Sequence, residues 1–157
     1  MEPERSHRSG VALTVLPAAD LHLGGCDQEC HMRRNRADAD LMADHGVRCP
    51  ISPNNILNPF TPLGDGHLIR QAHLCASIVQ RATDEDLRAT WGTFTASSAK
   101  LMRQADDGIA VGNPADLMVV DAPTAIDAVR EIAPVLHVFK RGRRTVTRFP
   151  AVILRPA

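Results

Sequence analysis

The sequence predicts an α/β fold, a parallel sheet with its helices followed by a β-rich tail, and three observations point to it. Residues 11–16 (VALTVL) and 47–51 (VRCPI) are short, nearly all-apolar runs. Each is followed by helical patterning, which is how buried parallel strands read. After Asp106-Asp107-Gly108 the chain changes to short β-rich runs separated by turn residues, ending in VLHVFKRGRRTVTRF (135–149).

In chain order, residues 1–9 carry charges of both signs and read as a frayed tail. The apolar run that begins at Val11 is closed by Pro17, so a buried strand followed by a loop is expected. Residues 24–35 (GGCDQECHMRRN) are irregular. Residues 36–47 (RADADLMADHGV) read as a helix with Ala37, Leu41 and Met42 near one face and Gly46 as its C-cap. The second strand, 47–51, runs into a loop, SPNNILNPFTPLG (52–64).

Leu68, Ile69, Ala72, Ala76, Ile78 and Val79 then fall at helical spacing, with Asp65 placed to cap them. Thr83 with Asp86 or Glu85 makes a capping-box pattern, and residues 83–103 follow as one or two helices. Their weak point is WGTFT (91–95), where Gly92 and β-branched residues lower helix preference. NPADLMVVDAP (113–123) reads as turn, strand and stop, AIDAVREI (125–132) as a short helix, and 135–149 as two strands joined at Arg141-Gly142. The division expected is a tail at 1–9, an α/β segment at 10–105 and a β-rich lobe at 106–157.

Composition narrows the function. The chain has 157 residues, and Lys plus Arg equals Asp plus Glu at 18 each. That balance gives no global field toward nucleic acid or acidic membranes. One Trp, four Phe and no Tyr leave little to stack on single strands. No apolar stretch approaches the roughly 20 residues of a membrane span, and the first ten residues lack a signal peptide's apolar core. The expectation is a cytoplasmic protein with no nucleic-acid or membrane partner, whose four cysteines are thiols.

At DDGIAVGNPADLMVVDA (106–122) the sequence resembles the metal-dependent amidohydrolase superfamily where its (β/α)8 barrel returns to a small β-sandwich. TASSAKLM, NNILNPFTPLGDGHLIRQAHL and VLPAADLHL are similar, in order and spacing, to the last third of cytosine deaminase-like members, and FKRGRRTVTR to their final hairpin. The resemblance covers roughly residues 10–148. No one motif is specific, but five in the correct order are. It implies the C-terminal segment of the barrel, with 11–16 as strand seven and 47–51 as strand eight, followed by part of the composite sandwich.

In intact members histidines and a glutamate on earlier strands, with an aspartate on the eighth, hold a divalent metal, zinc or iron. The metal activates water for attack on a C–N carbon. Those earlier strands have no counterpart here. The family's strand-eight loop reads approximately His-Asp-Asp-x-x-Asp-Pro-Trp. By resemblance Asn54 takes the position of the metal-binding, proton-accepting aspartate, while Asn55, Asn58 and Phe60 fall at substrate-pocket positions. An asparagine offers a carbonyl oxygen but cannot take up a proton at useful pH. An Asn-rich loop is also ordinary turn chemistry.

Other signals have blander readings. His22, Cys26, Cys30 and His31 lie within ten residues, but the second half of a zinc finger is missing, so no metal site is assigned to them. His45, His67, His73 and His137 have no second ligand at useful spacing and read as surface or packing residues. Lys140, Arg141, Arg143 and Arg144 read as a solvated, edge-protecting surface around a turn.

Three functions compete. The first is a truncated amidohydrolase acting on non-peptide C–N bonds by descent, inactive alone and needing no cofactor by itself. The second is half of a split enzyme completed by a complementary N-terminal chain. The third is a non-catalytic α/β interaction module. Whether the chain is an enzyme therefore stays open at this stage. Strands without neighbours should leave open edges that favour self-association.

Overall fold

The computed structural model describes residues 10–27, 29–30, 39–152 and 154, so the tail at 1–9, His31 and Ala37 lie outside the described residues. The architecture is a set of short helices and an antiparallel sheet. Helix α1 spans Pro17–Leu23 and α2 Ala39–Asp44. After the Asn-rich loop come α3 (Leu68–Val79), α4 (Asp84–Phe94) and α5 (Ala96–Leu101). Strand β1 (Leu117–Val120), α6 (Ala125–Glu131), β2 (Val135–Lys140) and β3 (Arg143–Thr147) complete the order.

Both apolar runs are extended and lie parallel, but they are shorter as strands than the sequence suggested. A single bridge, Val15 to Ile51, joins them. Leu13 N donates to the Arg48 carbonyl at 2.9 Å, Val15 N to that of Pro50 at 2.8 Å, and Ser52 N to that of Val15 at 3.0 Å. Prolines limit both runs, since Pro50 has no N–H to give a ladder. Pro17 does not lead into a loop, contrary to expectation. It opens α1, a position where its fixed φ suits the helix and its missing N–H costs nothing.

Beyond that pair, the β-rich stretch forms a three-stranded antiparallel sheet in the order β1-β2-β3. Leu117 pairs with Phe139 and Val138 with Val146, and the β2–β3 turn falls at Arg141-Gly142 as expected. Asp116 pins that turn. Its carboxylate pairs with the Lys140 ammonium and accepts from Arg141 N at 2.6 Å. The Lys140 bond, followed by that of Arg141, holds its carboxyl below the usual range.

Helix ends follow local rules. Gly46, at φ 76°, ends α2 as expected, with Gly46 N donating to the Ala43 carbonyl and Val47 N to that of Met42. Thr83 and Asp86 form a reciprocal capping box on α4. The anticipated weak point appears as the break between α4 and α5 at Thr95, and Gly92 stays helical. Asp65 is not the cap of α3. His67 occupies that position, and Asp65 accepts the His67 N–H at 3.0 Å.

Two apolar cores result. One gathers Val15, Met42, Val47, Cys49, Ile51 and Cys75 around the parallel pair. The other gathers Ile69, Ala72, Ala76, Leu87, Phe94 and Val129, drawing on α3, α4 and α6. The β-rich lobe's helix thus shares a core with the helices before it. All four cysteines are thiols, with Cys26 and Cys30 exposed and Cys49 and Cys75 buried. Among the described residues no helix is long and apolar enough to cross a membrane.

Candidate functional site

The loop at 52–64 leaves the C-terminal end of the parallel pair, because Ser52 N bonds to Val15 immediately after the Ile51 bridge. Its first turn places Asn54 at φ 51°, the left-handed region that asparagine tolerates better than most residues. Asn54 N donates to the Ser52 hydroxyl at 3.3 Å, and the residue is exposed. Among the described residues its side-chain amide has no hydrogen-bond partner. It faces solvent as a neutral donor and acceptor.

Asn55 and Asn58 are spent differently. The Asn58 amide donates to Asn55 Oδ1 at 3.0 Å, while Asn58 Oδ1 accepts Phe60 N at 3.0 Å and Thr61 N at 3.1 Å. Reciprocal backbone bonds between Asn58 and Thr61 close the turn. Asn58 thereby shapes the loop, which is the turn role open to any asparagine. Phe60 is 59% exposed. Of the four sequence-predicted site residues, the structure joins Asn55 to Asn58 and ties Asn58 to Phe60, and it leaves the Asn54 side chain apart from that network.

Sequence reasoning did not single out Thr61. It is 2% exposed, its hydroxyl has no partner among the described residues, and it lines a cavity of about 390 Å³ with Ala18, Leu21, His22 and Leu63. Nor did it foresee that His67, at the mouth of α3, would have a buried Nδ1 without a partner among the described residues. Burial is the main cause of a lowered His67 pKa, with Asp65 opposing and Arg70 and Arg148 assisting. A proline-rich loop gave no sequence signal for either burial.

The donor set does not fit a divalent-metal centre. Asn54 offers one neutral oxygen, and the Asn55 and Asn58 oxygens are engaged inside the loop. Among the described residues no three His, Cys, Asp or Glu side chains gather closely enough to hold an ion. Cys26 and Cys30 are exposed loop thiols, and His31 lies outside the described residues.

No family model matches the chain. Among curated proteins, N-isopropylammelide isopropyl amidohydrolase of Pseudomonas sp. (strain ADP) is 27% identical over 103 residues, which is 65% of this chain and 26% of that protein. Among solved structures, Klebsiella pneumoniae 5-methylcytosine deaminase liganded with 5-fluorocytosine matches with a TM-score of 0.86 at 28% identity. That match covers 94% of this chain and 36% of the deaminase. The chain is thus similar to amidohydrolases of the cytosine deaminase type. N-isopropylammelide isopropylaminohydrolase from Burkholderia multivorans shares the fold, with a TM-score of 0.74 at 20% identity over 90% of this chain and 33% of that one. The chain therefore spans about a third of the length of these solved relatives.

Proposed function

We propose that the chain is a portion of a cytosine deaminase-like amidohydrolase, equivalent to barrel strands seven and eight with their helices and part of the composite β-sandwich. By descent it is a hydrolase of non-peptide C–N bonds, and alone it is catalytically incompetent. A cytoplasmic setting belongs to the same reading. The observation that carries it is the placement of Asn54, directly after a parallel Val15–Ile51 pair, exposed and with a side-chain amide that has no partner among the described residues. Barrel enzymes carry their chemistry at that end of their strands.

What Asn54 can do is limited. Its amide can orient a polar group by hydrogen bonding, but it cannot take up the proton that hydrolysis must move. General acid–base assistance is worth about 10²–10⁴-fold, while a missing activated water removes the nucleophile itself. The second deficit dominates, so restoring a carboxylate at position 54 does not rescue the isolated chain.

An ammonia-release assay on cytosine and related amino-heterocycles tests this with wild type and Asn54→Asp. No turnover is expected from either. Turnover by wild type alone, abolished by a chelator, would overturn the reading.

A further inference from the structure

Thr61 is 2% exposed, and its backbone is engaged on both sides by Asn58. Thr61 N donates to the Asn58 carbonyl at 3.1 Å, and Asn58 N donates to the Thr61 carbonyl at 3.2 Å. The Thr61 hydroxyl has no partner among the described residues, although buried polar groups ordinarily find one. The same residue lines a recess of about 390 Å³ whose other walls are Ala18, Leu21, His22 and Leu63. Since no described residue holds the hydroxyl, a turn about χ1 from one staggered position to another aims it into that recess.

The walls are fixed before any ligand arrives. Ala18 N donates to the Gln71 side-chain oxygen at 3.3 Å, which ties α1 to α3 through a residue only 5% exposed. Opposite it, the Asn58 turn holds Thr61. Walls of this kind lose little freedom when something binds. Their chemistry then selects the ligand. Ala18, Leu21 and Leu63 offer alkyl surface, His22 an exposed imidazole, and Thr61 a hydroxyl that both donates and accepts. Among the described residues no carboxylate, lysine or arginine lines the recess, so a charged group entering it would lose water and gain no firm counter-charge.

We infer that this recess is a binding site for a small neutral molecule with a short alkyl body and one amide or hydroxyl group. The alkyl part lies against Ala18, Leu21 and Leu63, and the polar group pairs with Thr61. The inference concerns equilibrium binding by this chain and stands whether or not the hydrolase reading holds.

The test is a chemical-shift titration of the isotope-labelled full chain with three probes of one shape: neutral N-isopropylacetamide, anionic isobutyrate and cationic isopropylammonium. The neutral probe should give saturable shifts at the Leu21, Thr61 and Leu63 amides, and the charged probes should bind at least about tenfold more weakly. Thr61→Val keeps the side chain's shape and removes its hydroxyl, so it should weaken the neutral probe roughly threefold to tenfold. A hydroxyl serving the fold alone would instead lower the thermal midpoint when removed, and here the midpoint should hold. Ala18→Leu fills the recess from a helical position that leucine suits, and it should abolish the shifts. Leu63→Ala, at an exposed position, removes one alkyl wall and gives the same reading where Ala18→Leu disturbs the fold. Shifts that do not saturate, or that neither of these two variants diminishes, overturn the site. A charged probe bound as tightly as the neutral one overturns the ligand class, and undiminished binding by Thr61→Val overturns the part given to the hydroxyl.

Discussion

His73 on α3 lies with its Nδ1 3.0 Å from the backbone carbonyl oxygen of Val129 on α6, joining residues 56 apart in sequence. Only a protonated Nδ1 satisfies that contact, because a carbonyl accepts and cannot donate. The bond sits over the core that Val129 shares with Ile69, Ala72 and Phe94. Arg130 extends the same junction, reaching Asp84 on α4 at 2.7 Å. Helices from before and after residue 106 are therefore one packed unit.

The first prediction follows from that junction. Ile69 is 1% exposed, and Ile69→Ala should cost about 2–5 kcal/mol through lost burial and a residual cavity. Far-ultraviolet circular dichroism, reporting α3 and α4, and exchange of the β2 and β3 amides should shift together in denaturant. Separate transitions would show that the β-rich lobe folds independently. Leu63→Ala, on the exposed loop, should stay within about 0.5 kcal/mol.

The second concerns pH. Burial lowers the His67 pKa, so the folded state disfavours its imidazolium. A depressed folded pKa contributes stability above the unfolded value, about 6.5, and that contribution is lost as pH falls through the folded value. The urea midpoint of wild type should therefore fall as pH drops below about 6.5, and His67→Gln should flatten that part of the profile. An unchanged slope in the variant would mean the burial of Nδ1 carries no proton linkage.

What the sequence disclosed was mostly local chemistry. The Thr83–Asp86 capping box, the Gly46 stop, the break near Thr95 and the Arg141-Gly142 turn each depend on a few adjacent residues. Pro17 misled because its fixed φ suits the first turn of a helix as well as the end of a strand. Asp65 misled by two positions, since it serves the His67 N–H from outside the helix. In the site, the special character of the Asn-rich loop was legible, and the roles of its members were not. Which asparagine builds the turn and which faces solvent depends on the φ at Asn54 and Leu57, a property of the folded loop. Thr61 and His67 were hidden because their burial comes from distant packing.

The third prediction addresses the loop thiols. Exposed Cys26 and Cys30, without a third gathered donor among the described residues, make a poor zinc site. Purified protein should carry well under one zinc per chain by elemental analysis, and Cys26→Ala/Cys30→Ala should not change that. Stoichiometric zinc lost in the double variant would instead favour an interaction module organised by the metal.

The last prediction separates loop building from substrate contact at Asn58. Its Oδ1 accepts two backbone N–H groups and its Nδ2 donates to Asn55, so three bonds depend on one side chain. Asn58→Ala removes all three and should cost about 1–2 kcal/mol of local or global stability. It should also speed exchange of the Phe60 and Thr61 amides. Asn58→Asp keeps an acceptor for both N–H groups and loses only the donation to Asn55, where two oxygens now face each other. Its Phe60 and Thr61 amides should therefore stay protected while the Asn54-Asn55 end loosens. Were Asn58 reserved for a substrate, the alanine variant would leave these amides as they are in wild type. Asn54→Asp is the contrast. With its side chain outside the network, it should alter neither amide, so a change in activity of any complex containing it would report chemistry at position 54 and not a rearranged loop.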